Sequence, residues 1–158
     1  MKRLLVVSLL ALASLVLVQS ALSDPPTIVR TSGEITYFDD VDCGFPVQID
    51  IFGDNITIVS ASGDRAFGAF PGGRATLTNL DTERSLTVNI AGPFHQSLGA
   101  DGSLTLTGTG PSLFFLLFRG NPGITLLDGR FVWRFDSQGN ETFRSVGKTR
   151  DLCAELAG

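Results

Sequence analysis

From Arg130 to Arg144 the chain reads RFVWRFDSQGNETFR, and here the residue types suited to binding alternate along the backbone. On an extended segment, side chains point alternately to opposite sides. Arg130, Arg134 and Asp136 then share one side, and Phe131, Trp133 and Phe135 the other. Ser137 to Asn140 carries turn residues, so Arg144 returns on a neighbouring strand close to Arg134. Like charges facing each other across a sheet repel unless an anion or carboxylate stands between them. Asp136 can supply that charge. A bound anion, such as a carboxylate held in a guanidinium fork, is the functional alternative. A plain solvent-facing sheet is the structural one.

Other reactive side chains are sparse. The chain has a single histidine, His95, in GPFHQS. A general base needs a nucleophile and an orienting group. One histidine excludes H-E-x-x-H, and no G-x-S-x-G elbow is present. His95 is expected to be a loop residue. The acidic run Asp39-Asp40-Val41-Asp42 offers oxygen ligands for calcium but lacks the spacing of a calcium loop, so a solvated turn is expected. The glutamates Glu34, Glu83, Glu141 and Glu155 sit in or beside turns or near the chain's end, and none stands out as half of a glycosidase pair. No residue is assigned a catalytic role, and no metal or cofactor is expected.

The two cysteines, Cys43 and Cys153, depend on compartment. Met-Lys-Arg followed by LLVVSLLALASLVLV, Leu4 to Val18, has the form of a secretory signal. Ser20 and Ser23 are the candidate cleavage positions, and residues 1–23 are assigned to the signal. The apolar run is short for a membrane span and no basic stop-transfer cluster follows it. The expectation is a secreted chain, not held in the membrane after cleavage, whose residues 24–158 form one domain. Outside the cytosol the two thiols are expected to pair. Such a bridge closes a loop of about 110 residues, worth up to roughly 4–5 kcal/mol in the chain-entropy model. Loss of Lys2 and Arg3 with the signal takes the formal net charge from −4 to about −6. An acidic chain with no basic run argues against nucleic acid and anionic membranes.

Strands must position these groups. Val47, Ile49 and Ile51 alternate with polar residues, as do Leu86, Val88 and Ile90, and Leu104 and Leu106. Glycine falls mostly between the runs. Asp101-Gly102 and Asp128-Gly129 read as hairpin turns, with further turns at Asp81 to Arg84, Ser137 to Asn140, Pro71-Gly72-Gly73 and Asn121-Pro122-Gly123. About ten strands joined by short connections predict an all-β antiparallel meander. It closes most simply as an up-and-down β-barrel, with a two-sheet β-sandwich as the alternative. LFFLLF, Leu113 to Phe118, reads as a strand buried on both faces, or as an apolar surface for a partner or ligand. Asp151 to Leu156 reads as a short helical turn.

C-G-F-P-V at Cys43 to Val47, T-L-T-N at Thr76 to Asn79, the stretch Leu86 to Pro93, D-G-S-L-T-L-T-G-T-G at Asp101 to Gly110 and D-L-C-A-E-L at Asp151 to Leu156 complete a pattern. With the signal, it resembles families of small exported proteins of Gram-positive, high-GC bacteria. The resemblance implies export, a bacterial source and the Cys43–Cys153 bridge. It carries over no activity.

Three functions are weighed. The first is a small-molecule binder, with Phe131, Trp133, Phe135 and the LFFLLF strand lining a barrel interior and Arg134 or Arg144 near its mouth. The second is a cell-surface structural or interaction protein acting through its outer β-faces. The third is a barrel isomerase, cyclase or hydrolase, which requires His95 or an aspartate to meet an arginine at hydrogen-bond distance in a pocket.

Overall fold

The alternating stretches form strands, as a computed structural model covering residues 24–115 and 123–158 shows. The signal segment, with Ser20 and Ser23, lies outside the described residues, as do Leu116 to Phe118 of the apolar run and Asn121-Pro122. The elements are β1 (Thr27–Asp39), β2 (Val47–Val59), β3 (Arg65–Ala69), β4 (Arg74–Asn79), β5 (Ser85–Asn89), β6 (Phe94–Leu98), β7 (Leu104–Phe114), β8 (Thr125–Phe135), β9 (Glu141–Asp151) and the helix α1 (Leu152–Ala157). Among the described residues this gives nine strands where about ten were expected.

All pairings are antiparallel and belong to one sheet, in the order β5-β4-β2-β3-β6-β7-β8-β9, with β1 on the other edge of β2. The expected barrel is not formed. The path ends at β5 and β9, and no pairing joins them among the described residues. The reason lies in β2. One edge pairs with β1 along all of Thr27 to Asp39. The other edge is shared: Val47 to Phe52 pairs with β4, and Ile56 to Val59 pairs with β3. A strand that divides one edge between two partners splits the sheet into wings, here β4–β5 and β3–β6–β7–β8–β9.

Side-chain packing, not hydrogen bonding, brings the wings together. Val47, Ile49, Ala75, Leu77 and Val88 of β2, β4 and β5 form one buried cluster with Ile124, Leu126, Leu152 and Leu156. The helix α1 supplies the last two. Asp151 caps it, its Oδ1 accepting from the Ala154 N–H at 3.0 Å. At its other end the Leu156 carbonyl accepts from Asn79 Nδ2 at 3.4 Å. A six-residue helix cannot hold itself together in water. The disulfide Cys43–Cys153, with Cα atoms 5.0 Å apart and a sequence separation of 110, ties it down. The helix falls within one residue of the turn expected at Asp151 to Leu156, and Cys43 and Cys153 pair as expected.

Glycine does not keep to the turns. Asp101-Gly102 closes the β6–β7 hairpin, with Gly102 at φ 84°, but Asp128-Gly129 lies in the middle of β8. Gly129 stands opposite Gly110 on β7 and Gly147 on β9, so a glycine line crosses three strands. A Cβ on Gly129 would overlap the Val146 carbonyl oxygen and lie 2.7 Å from the Gly147 Cα. Such lines let a sheet fold sharply. Beyond it β8 runs from exposed Arg130 and Asp128 into Leu127, Leu126 and Thr125, all buried.

Three hairpin turns use the same carboxylate device. Ser62 and Ser60 hydroxyls donate to Asp64, Ser103 to Asp101, and Asn140 to Asp136. These bonds hold each carboxyl below its ordinary value. A depressed folded-state pKa contributes stability above the unfolded pKa, and that stability is lost as pH falls through the folded one. The melting temperature is therefore expected to stay level from neutral pH down to the ordinary carboxylate range and to fall below it. Asp136→Asn should flatten that acid limb. Melting curves recorded in small pH steps check both, and an unchanged acid limb in Asp136→Asn would count against the device.

Candidate functional site

Three phenylalanine rings occupy the space that side chains would take at glycines of nearby backbone. A Cβ on Gly68 would strike the Phe94 ring, and one on Gly108 would strike Phe131. Phe70 lies over Gly53 and Gly73, 3.2 Å from where a Gly53 Cβ would stand. The missing side chains leave room for rings, and rings cover glycine backbone that would otherwise be bare. Around them opens a cleft of about 580 Å³. This is within the usual size of small-molecule sites.

The walls come from both wings. Phe94, Leu106, Phe114, Phe131 and Trp133 line one side, Ile51, Phe70 and Ile90 another, and Thr31 to Ile35 of β1 the rim. Phe131 is nearly buried, 7% exposed, and the Phe114 ring meets it edge-on at 5.0 Å. Phe143, opposite Trp133, extends the cluster with ring centres 5.5 Å from Phe114 and 6.2 Å from Phe131. These are favourable aromatic separations. The indole of Trp133 is oriented by its Nε1, which donates to Glu141 Oε1 at 3.0 Å. Polar groups are few and sit toward β1: Thr31, Ser32, Glu34 and Asn55, with Ser112 across from them.

The structure divides the predicted binding residues. Phe131 and Trp133 line the cleft. Phe135 does not; it packs behind Trp133 at a ring distance of 4.9 Å. Arg134 and Arg144 lie on the opposite face and are exposed. Neither is at the mouth. They are also not directly opposed, since Arg134 faces Thr142 and Arg144 faces Val132. Asp136, read as their counter-charge, is turned into the hairpin, where it accepts from the Gln138 and Asn140 backbone and from Asn140 Nδ2 at 2.9, 2.8 and 2.7 Å. Leu113 and Phe115 of the apolar run line the cleft and also pack against the core.

His95 is exposed on β6, its ring 4.9 Å from Phe67. No hydrogen bond links it to a nucleophile or carboxylate among the described residues. Asp39 Oδ1 accepts from the backbone of Val41 and Asp42 at 3.2 and 2.8 Å, the bonds of a turn. No group of three or more potential metal ligands is gathered among the described residues. No helix among them is long and apolar enough to cross a membrane.

Sequence reasoning missed Phe70, Phe94 and the β1 rim. The available signal was glycine inside otherwise regular runs, at Gly68 and Gly108, which marks a close approach by a neighbour. No protein-family model, no curated protein and no solved structure matches this chain.

Proposed function

We propose that this chain is an exported binding protein that holds a small, largely apolar molecule in the aromatic cleft. The observation that carries this reading is the cleft of about 580 Å³ walled by Phe70, Phe94, Phe114, Phe131 and Trp133. Rings lying over glycines hollow the space between the wings, whereas a purely structural core would fill it. The apolar body of the ligand lies against the rings. Its polar end points to Glu34, Asn55 and Thr31 on the side of β1.

Trp133 is the chain's one tryptophan and lines the cleft, so it reports occupancy directly. Native mass spectrometry of unreduced protein from the culture medium of its own host is expected to show an added mass that denaturation releases. Titration of apo protein with N-phenyl-1-naphthylamine is expected to change Trp133 emission saturably. Phe131→Ala should weaken that probe at least tenfold, since burying an aromatic ring is worth about 1.5–3 kcal/mol. A clean apo mass together with an unresponsive Trp133 would overturn the reading.

A further inference from the structure

We infer that the outer face of the β3–β6–β7–β8–β9 wing, opposite the cleft, binds an anionic polysaccharide. The register assembles this face from residues scattered through the sequence. One row across the strands is Arg65, Ser97, Thr105, Arg134 and Thr142. The next is Phe67, His95, Thr107, Val132 and Arg144, and a third is Thr109, Arg130 and Val146. No carboxylate stands in these three rows; on the same face Asp128 lies in the next row, opposite Lys148, and Asp136 is turned into the β8–β9 hairpin.

Three of the four arginines are unpaired among the described residues. Arg130, Arg134 and Arg144 are exposed and make no hydrogen bond or ion pair among the described residues. Arg65 reaches only Asp64, at 4.0 Å, with both side chains well exposed. Arg144 lies one diagonal step from Arg130 and from Arg134. Diagonal neighbours on a sheet are about 7–8 Å apart, close enough to repel and to share an anion. Without a ligand this arrangement costs stability. A carboxylate or sulfate between the guanidinium groups reverses the sign of that interaction.

The surroundings select the occupant. Thr105, Thr107, Thr109 and Thr142 alternate with the arginines and offer hydroxyls to sugar hydroxyls. Beside them a shallow depression of about 330 Å³ includes Arg65, Phe67, His95, Ser97, Thr105 and Thr107. It gives a sugar ring an apolar floor. A chain of hydroxyl-rich rings with an anionic group at regular intervals matches this mixture. Single-stranded nucleic acid depends on stacking its bases on several aromatic rings, and this face offers Phe67 and His95, already set against each other. The acidic remainder of the protein repels polyanions at a distance. Binding is therefore short-range and weakens as salt rises.

The test uses the disulfide-intact chain at low salt, with polygalacturonate, heparin, neutral dextran and an oligo(dT) strand as probes in calorimetric titration. Binding of polygalacturonate, heparin or both, without dextran, is expected, together with loss of affinity on adding salt. The variant carrying Arg130→Gln, Arg134→Gln and Arg144→Gln should bind at least tenfold more weakly. Arg84→Gln, in the β4–β5 turn, should leave binding unchanged. The Trp133 response to the apolar probe should be the same in all variants, which confirms folding and separates this face from the cleft. Failure of both anionic polysaccharides to bind, or equal binding by the triple variant, would overturn the inference. Tighter binding of oligo(dT) than of either would replace the occupant and overturn it as well.

Discussion

Cys153→Ser is expected to melt roughly 10–20 °C below the parent chain, Cys43→Ser about as far below, and the double variant little further. The bridge spans 110 positions, so in the chain-entropy model it is worth up to roughly 4–5 kcal/mol. Its position adds to this. Cys153 is buried among Leu152, Leu156 and Ile124, and its Sγ accepts from the Ile124 N–H at 3.3 Å. Without the tether, α1 depends on its Asp151 cap, the Arg150–Glu155 ion pair, the Leu152 N–H to Ile124 carbonyl and Asn79 to Leu156 carbonyl bonds, and two buried leucines. Scanning calorimetry on the three variants, each checked for thiol content, measures the effect. Single losses that summed in the double variant would show that the two cysteines do not act as one bond.

Gly129→Ala is expected to cost about 3 kcal/mol or more, and Gly129→Val to prevent folding, while Gly102→Ala costs about 1 kcal/mol. The two glycines look equivalent in the sequence, each after an aspartate. Gly102 needs its left-handed φ of 84°, but a Cβ there meets nothing within 4 Å. Its replacement costs backbone strain and little else. Gly129 sits where β8 and β9 nearly touch, and a Cβ would press on the backbone at Val146 and Gly147, which cannot turn aside as a side chain can. Denaturant unfolding of the two alanine variants ranks them. Equal losses would mean that the glycine line does not govern the packing of the wing.

Much of the architecture was legible in the residues. Val47, Ile49 and Ile51 announced β2, Leu86 and Val88 announced β5, and Phe131 and Trp133 announced both β8 and one wall of the cleft. Strand alternation reports which residues share a face, a purely local property. It does not report which strand pairs with which. That Val47–Phe52 takes β4 while Ile56–Val59 takes β3 left no local trace, and barrel closure failed there. β1 was hard to see for a different reason. Ile28, Ile35 and Phe38 are 55%, 54% and 72% exposed, and a strand exposed along nearly its whole length lacks a contrast between faces. Alternation had already set Arg134 and Arg144 apart from Phe131 and Trp133. Bringing them to one cavity mouth required two opposite faces of one sheet to meet, which the open sheet does not allow. Phe70 and Phe94 lay next to turn glycines and prolines, and their neighbours in space, Gly53, Gly73 and Gly68, come from other strands or from the far side of a turn.

The position of α1 bears on how the molecule comes into being. A chain emerges from synthesis in order, and its domains complete as units. β2 and β4 are available early, yet Ile49 and Leu77 are sealed by Leu152 and Leu156, which lie 103 positions beyond Ile49 and 79 beyond Leu77 respectively. Until that segment arrives, one wing presents an unfinished apolar surface, and no earlier stretch can cover it in the native way. Long-range closure of this kind is slow compared with hairpin formation. Maturation is thus a single late event in which helix docking, core sealing and thiol pairing coincide. Any holding factor or oxidant that serves this protein acts on a chain already extended through Leu156.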